Sequence, residues 1–288
     1  MAFYLDIGVV RIQEYILRTA GADEGQLRKR RGASQLISEA TDTGCFAPFG
    51  FELNDETYDT EGVAHLRAAR DLGDGVERSA VVDKCLASLR KKLPQAHLSA
   101  SWADADSYAD ADREIKALRG GKPSTGGVGL VEWVPPVREE SRGLPCKGCG
   151  RSPRRVKDNC SDCAKRDDAG RRLARKVTPT TTLRSPASPE IRTMERMVRD
   201  SGVAVEAVAD LGELARLNPW PTKKQNQLAT IYADANNVGV TFDQVELLED
   251  RKTLSNVLTG AIEAGADAAL ICYGRSCQPR KRVPSRRR

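Results

Sequence analysis

The sequence predicts an α+β protein built in pieces. They are a ferredoxin-like domain over residues 1–136, a four-cysteine module over 137–170, a helical connector over 171–222, a second α+β unit over 223–274 and a basic tail over 275–288. Three observations predict it. Strand and helix patterns alternate in the first third of the chain in the order strand, helix, strands, helix, strand. Two Cys-x-x-Cys pairs follow, separated by ten residues. A short apolar run, Ala229–Ala233, then ends abruptly in Asp234.

Composition sets the outer limits. The chain has 288 residues, of which 30% are charged and 5% aromatic, with a formal net charge of +6. That is a soluble globular composition with room for two modest domains, and its basic lean suits phosphate-bearing partners. The lean is local, because Arg275, Arg280, Lys281, Arg282, Arg286, Arg287 and Arg288 fall in the tail, which has no acid. No run approaches the roughly 18 apolar residues of a membrane span. The opening Met-Ala-Phe-Tyr-Leu-Asp lacks a basic segment before an apolar core, so no signal peptide is read and a cytoplasmic location is expected.

Residues 3–9 read as an opening strand, and 10–19 carry Ile12, Tyr15 and Ile16 at helical spacing. A basic loop, Arg28-Lys29-Arg30-Arg31, is expected before a second helix opening at Gly32-Ala33-Ser34. A helix start of this kind presents free N–H groups and a hydroxyl to a phosphate, or is an ordinary Ser cap beside a solvated loop. Residues 44–75 read as a hairpin and loops. From 75 to 93, Val76, Ala80, Val81, Cys85, Leu89 and Leu93 repeat at helical spacing, and Pro94 ends the helix. Residues 97–102 alternate as a strand, 107–118 form a helix, 120–129 a glycine-rich loop and 131–134 a short strand.

Cys146-Lys-Gly-Cys149 and Cys160-Ser-Asp-Cys163 then supply two tight knuckles. Each offers two thiolates, and the intervening loop returns the second pair to the first, which suits a tetrahedral zinc site of four cysteines. Redox pairs without metal are the other reading. In a chain read as cytoplasmic, metal is favoured over a disulfide framework. Arg151, Arg154, Arg155 and Lys157 lie between the knuckles and are either a nucleic-acid contact or a solvated loop.

Residues 167–177 read as a charged helix and 178–189 as a Pro/Thr/Ser linker. Helices are expected at 191–200 and 203–217, with a break at Asn218-Pro-Trp-Pro221. The run ending in Asp234 reads as a strand buried on both faces. A carboxylate at its exit is costly to desolvate without a positive partner, and magnesium is the usual one. Otherwise Asp234 caps a helix and Asn236-Asn237 make a turn. A helix over 254–264 is expected to pack on this strand, and 268–273 to begin another.

Ile231-Tyr-Ala-Asp234-Ala-Asn-Asn-Val-Gly239 resembles the first metal-binding segment of the palm domain in the large, polymerase-like subunit of type III CRISPR effector complexes, whose palms are similar to GGDEF diguanylate cyclases. Val10-Arg-Ile-Gln-Glu-Tyr-Ile16, followed by Arg31-Gly-Ala-Ser34, resembles the start of the first palm of that subunit. A zinc module between two palms is also similar. The resemblance implies magnesium-dependent ATP binding and nucleotidyl transfer to cyclic oligoadenylate. Asp234 would be the catalytic metal ligand, Ala235, Asn236, Asn237 and Gly239 would approach the phosphates, and Ser34 would hold a nucleotide. It also implies subunits of a CRISPR RNA–protein complex as partners in antiviral defence.

Three departures are written in the residues, the mildest being Ala235 where the family often has glycine. Asn236 stands where the family can carry a second carboxylate, and the family's Gly-Gly-Asp-Asp hairpin does not occur. In its place is the basic stretch from Tyr273, read as disordered and able to bind nucleic acid by phosphate neutralisation, or as a premature end. The second palm is therefore expected to be incomplete and turnover impaired. The family's His-Asp nuclease site is not expected, since His65 and His97 are each followed by leucine. The competing expectation is a non-enzymatic, zinc-stabilised nucleic-acid-binding or scaffold protein of a nucleoprotein complex.

Overall fold

The structure, a computed structural model, describes residues 1–18, 26–54, 57, 62–73, 75–120, 127–135, 144–173, 176–177, 189–202, 205–206, 241–242, 244–245 and 247–276. The class is α+β, as expected. A five-stranded antiparallel sheet is built from β1 (Ala2–Val10), β2 (Phe51–Leu53), β3 (Val63–Ala68), β4 (His97–Ala105) and β5 (Gly129–Trp133). Its order is β2-β3-β1-β4-β5. The helices are α1 (Ile12–Leu17), α2 (Gln26–Thr41), α3 (Gly75–Lys92), α4 (Tyr108–Arg119), α5 (Ser161–Arg172), α6 (Pro189–Ser201) and α7 (Leu248–Ser276). A two-stranded ribbon pairs β6 (Lys176–Val177) with β7 (Val205–Glu206).

Strand alternation sets the layers. Along β1, Phe3, Leu5, Ile7 and Val9 are buried in the main core with Ala33, Leu36 and Ile37 of α2 and Val82, Cys85, Leu86 and Leu89 of α3. With a period of two, the intervening residues face the other way. On that side Tyr4 packs with Ala103, Ala105, Tyr108, Ala111 and Ile115, so α4 covers one end of the second face. The register seats Asp6 between His65 of β3 and Ser101 of β4. There His65 Nδ1 lies 2.7 Å from Asp6 Oδ1, and the Tyr108 hydroxyl donates to both carboxylate oxygens at 3.0 Å. Such a satisfied network is what allows a carboxylate in the middle of a buried strand.

Several boundaries are corrected. Residues 28–31 are not a loop: straight-chain Leu, Arg, Lys and Gln are good helix formers, and α2 runs unbroken from Gln26 through Gly32. The apolar stripe of α3 is rotated from the expected one, since Val76 is 77% exposed while Val82 and Leu86 are buried. The helix expected at 167 begins at Ser161, directly after the second knuckle. In place of a helix beginning at Val203, Val205–Glu206 forms a strand, in keeping with its β-branched partner pair Val177 and Val205. Ala268–Tyr273 lies within α7, not in a strand; short apolar runs are ambiguous between the two, and the alanine-rich surroundings favour helix. The same helix includes Arg275 and Ser276, where the tail was expected to begin. Among the described residues no helix is long and apolar enough to cross a membrane.

Candidate metal centre

The sulfur atoms of Cys146, Cys149, Cys160 and Cys163 all lie within 4.8 Å of one another, and Cys149 Sγ is 3.8 Å from Cys160 Sγ. Four thiolates bound tetrahedrally at about 2.3 Å would stand about 3.8 Å apart. The set can therefore hold a metal ion, and all four cysteines are buried.

Local backbone explains how the chain brings them together. The first knuckle turns through Gly148 and Gly150, the latter at φ +69°, a conformation that costs glycine little. Two backbone bridges, Pro145 with Pro153 and Val156 with Asn159, then fold the loop back. Cys160 caps α5, its sulfur accepting from the Cys163 amide at 3.4 Å. Cys146 Sγ accepts from the amides of Gly148 at 3.2 Å and Cys160 at 3.1 Å.

Electrostatics give the same reading. Hydrogen bonds from the Cys160 and Cys163 thiols hold Cys149 far below the ordinary thiol range. Cys160, bonded to Cys149, is pushed up to about 12, and Cys163 is pushed up further by its bonds to Cys149 and Cys160. One thiolate is thus stabilised by its neighbours' protons. A divalent cation removes that competition by binding all four in deprotonated form.

The centre is fastened to the sheet domain through α5. Asp162, between the two helical cysteines, lies with Arg166 Nε 2.7 Å from its Oδ2 and accepts from the Tyr15 hydroxyl at 3.0 Å. Arg166 is fully buried; it donates to the Tyr15 carbonyl at 2.8 Å and lies over the Tyr15 ring, 3.9 Å from its centroid. Burial raises the Asp162 carboxyl, opposed by the charge of Arg166. Burial pulls Arg166 down, but the charge of Asp162 together with Tyr15 and Cys163 more than offsets it, and the guanidinium is held above its ordinary range. Where α5 crosses α2, a Cβ on Gly32 would fall 1.8 Å from the Arg166 carbonyl oxygen, and one on Gly170 would fall 2.1 Å from that of Arg28. Arg28 closes the crossing with a 2.7 Å contact to Asp167.

Of the residues expected to carry chemistry, the four cysteines are brought together. Ser34 lies well inside α2, half-buried, so the helix-start cradle expected at Gly32–Ser34 is absent: the amides there belong to a continuing helix. Asp234, Ala235, Asn236, Asn237 and Gly239 lie outside the described residues. Sequence reading missed Asp162, Arg166 and Tyr15. The four-residue spacing of Asp162 and Arg166 on a helix was a legible signal for the ion pair; the partner Tyr15, 147 residues away, was not. The Asp6–His65–Tyr108 network was also missed, although a lone acid in an apolar strand marks it. No protein-family model and no curated protein matches this sequence.

Proposed function

We propose that this chain is a zinc-stabilised, palm-type component of a nucleoprotein complex, similar to the large subunit of type III CRISPR effectors. The observation that carries the reading is topological. The first domain runs β-α-β-β-α-β, with the extra helix α1 beside α2, and its strands are ordered β2-β3-β1-β4 with two helices packed into one face. This is the ferredoxin-like arrangement on which palm domains are built. The cysteine centre follows that domain, as the resemblance requires, and its four thiolates suit zinc, which takes tetrahedral sulfur sites without redox chemistry.

On this reading the Asp234 segment binds ATP with magnesium. The carboxylate is a metal ligand, and the backbone of Ala235 to Gly239 approaches the phosphates. Ser34 contributes a hydroxyl only. Magnesium, when bound, stabilises charge on the attacking and leaving oxygens of nucleotidyl transfer. Positioning and charge stabilisation carry such chemistry, and Asp234 alone supplies few fixed ligands for two metals, so cyclic oligoadenylate synthesis by this chain alone is slight.

Calorimetry of wild type and Asp234→Ala with ATP and magnesium tests the nucleotide site. Magnesium-dependent binding that the substitution abolishes is the expected result. Equal affinity of the two proteins removes the nucleotide site and leaves a non-enzymatic scaffold.

A further inference from the structure

We infer that the outer surface of the cysteine centre, together with Arg11 beside it, is a binding surface for the sugar–phosphate backbone of nucleic acid. The inference deepens the nucleoprotein reading and rests on it only for the kind of partner, since the surface itself is written in charges and backbone geometry.

Arg11 and Arg151 converge on one carboxylate. Arg11 Nη1 lies 3.7 Å and Arg151 Nη1 3.9 Å from Glu14, whose remaining partner is Arg18 at 3.0 Å. On the same knuckle, Lys147 and Arg154 share Asp158 at 2.9 and 3.1 Å. The hydrogen bond and charge of Arg18, with the charges of Arg11 and Arg151, hold Glu14 below the ordinary carboxylate range. Arg155 and Lys157 are exposed and have no carboxylate partner among the described residues. Cations therefore outnumber the two acids on this surface several-fold, and most are reachable: Arg11 is 70% and Arg151 65% exposed.

A second, independent observation points to the same place. Among the described residues only two non-glycine residues have positive φ, Arg11 at 57° and Lys157 at 53°. Both are cations of this surface. Arg11 stands at the N-cap of α1, where short polar residues are preferred, and makes no capping hydrogen bond. Lys157 stands in the tight turn closed by reciprocal bonds between Val156 and Asn159, where glycine or asparagine is the comfortable choice. Backbone strain that persists at exposed residues is a mark of function, here the aiming of two charges outward.

The ligand class follows. A phosphodiester chain presents a charge at every unit and releases counterions when lysine and arginine neutralise it. None of the surface residues named here is aromatic, and base recognition in single strands leans on stacking. The surface thus takes backbone without reading sequence.

The test uses the full, metal-loaded chain and a labelled 20-nucleotide oligouridine followed by fluorescence anisotropy. The variant Arg151→Glu/Arg155→Glu/Lys157→Asp reverses three charges with aspartate, which tolerates the left-handed turn, at position 157. A charge-matched control, Arg70→Glu/Lys84→Glu/Arg113→Glu, alters exposed cations elsewhere. The knuckle variant is expected to lose at least about tenfold in affinity at ~50 mM salt and to flatten the log affinity against log salt slope by about 2, with the control well above it. Metal content and melting, measured on both, separate misfolding from lost binding. Arg11→Asn, which leaves the knuckle untouched, should weaken binding by about two- to fivefold, on the order of one phosphate contact. Equal loss in knuckle and control variants, or an unchanged slope, overturns the inference. Neither result depends on ATP binding at Asp234.

Discussion

The Tyr15 hydroxyl donates a 3.0 Å hydrogen bond to Asp162, joining the first helix of the chain to the helix that carries Cys160 and Cys163. Because Asp162 is also the partner of the fully buried Arg166, the cysteine cluster and the sheet domain share one polar cluster. Partly satisfied buried networks are costly, so the two parts stand or fall together.

Breaking that cluster from either end should give unequal effects. Asp162→Ala leaves Arg166 buried without its carboxylate and is expected to destabilise by about 3–5 kcal/mol. Tyr15→Phe removes one hydrogen bond and keeps the ring under the guanidinium, for about 1–2 kcal/mol. Urea unfolding of the metal-loaded proteins measures both, and equal small losses would mean that the cluster is solvated.

Metal should be bound at close to one zinc per chain. Elemental analysis of the purified protein checks the stoichiometry. Cys160→Ser should lower both zinc content and melting temperature, since it removes one of the four sulfurs proposed to hold the ion while leaving a side chain that can still cap α5. Acidification should release the ion as protons reclaim the thiolates, and a metal indicator dye follows the release.

The α2–α5 crossing predicts opposite signs for the same substitution. In a helix, alanine is preferred to glycine by roughly 1 kcal/mol. Gly260→Ala in α7, where nothing lies within 4 Å of the new methyl, should therefore stabilise slightly. Gly32→Ala drives a methyl into the backbone of α5 and should destabilise by about 1–3 kcal/mol. Thermal melts of the two variants compare the signs directly.

Thiol reactivity should sort by burial. Cys85 is fully buried in the core between α3 and the sheet, and burial pushes its thiol up to about 12, so its thiolate scarcely forms at pH 8. Cys45 is half-buried. Brief alkylation of the native protein followed by peptide mass analysis should label Cys45 and leave Cys85 unmodified until denaturant is added.

What the sequence determined by itself is periodic or local. Alternation in 97–102 located β4, the apolar opening run located β1, helical spacing located α3, and the two Cys-x-x-Cys pairs named all four members of the cluster that can hold a metal ion. These signals survive because strand pitch, helix pitch and knuckle turns are set by neighbouring residues. Tertiary structure alone decided the rest. That position 32 must be glycine depended on the backbone of α5, where a Cβ would fall 1.8 Å from the Arg166 carbonyl oxygen. Whether Asp6 and Asp162 were surface acids or buried anchors depended on His65, Tyr108, Tyr15 and Arg166, which only the folded chain brings within hydrogen-bonding reach. The physical reason is range. Propensity and periodicity act over a few residues, whereas desolvation and hydrogen bonding of buried charges are settled by partners as distant as 151 positions along the chain.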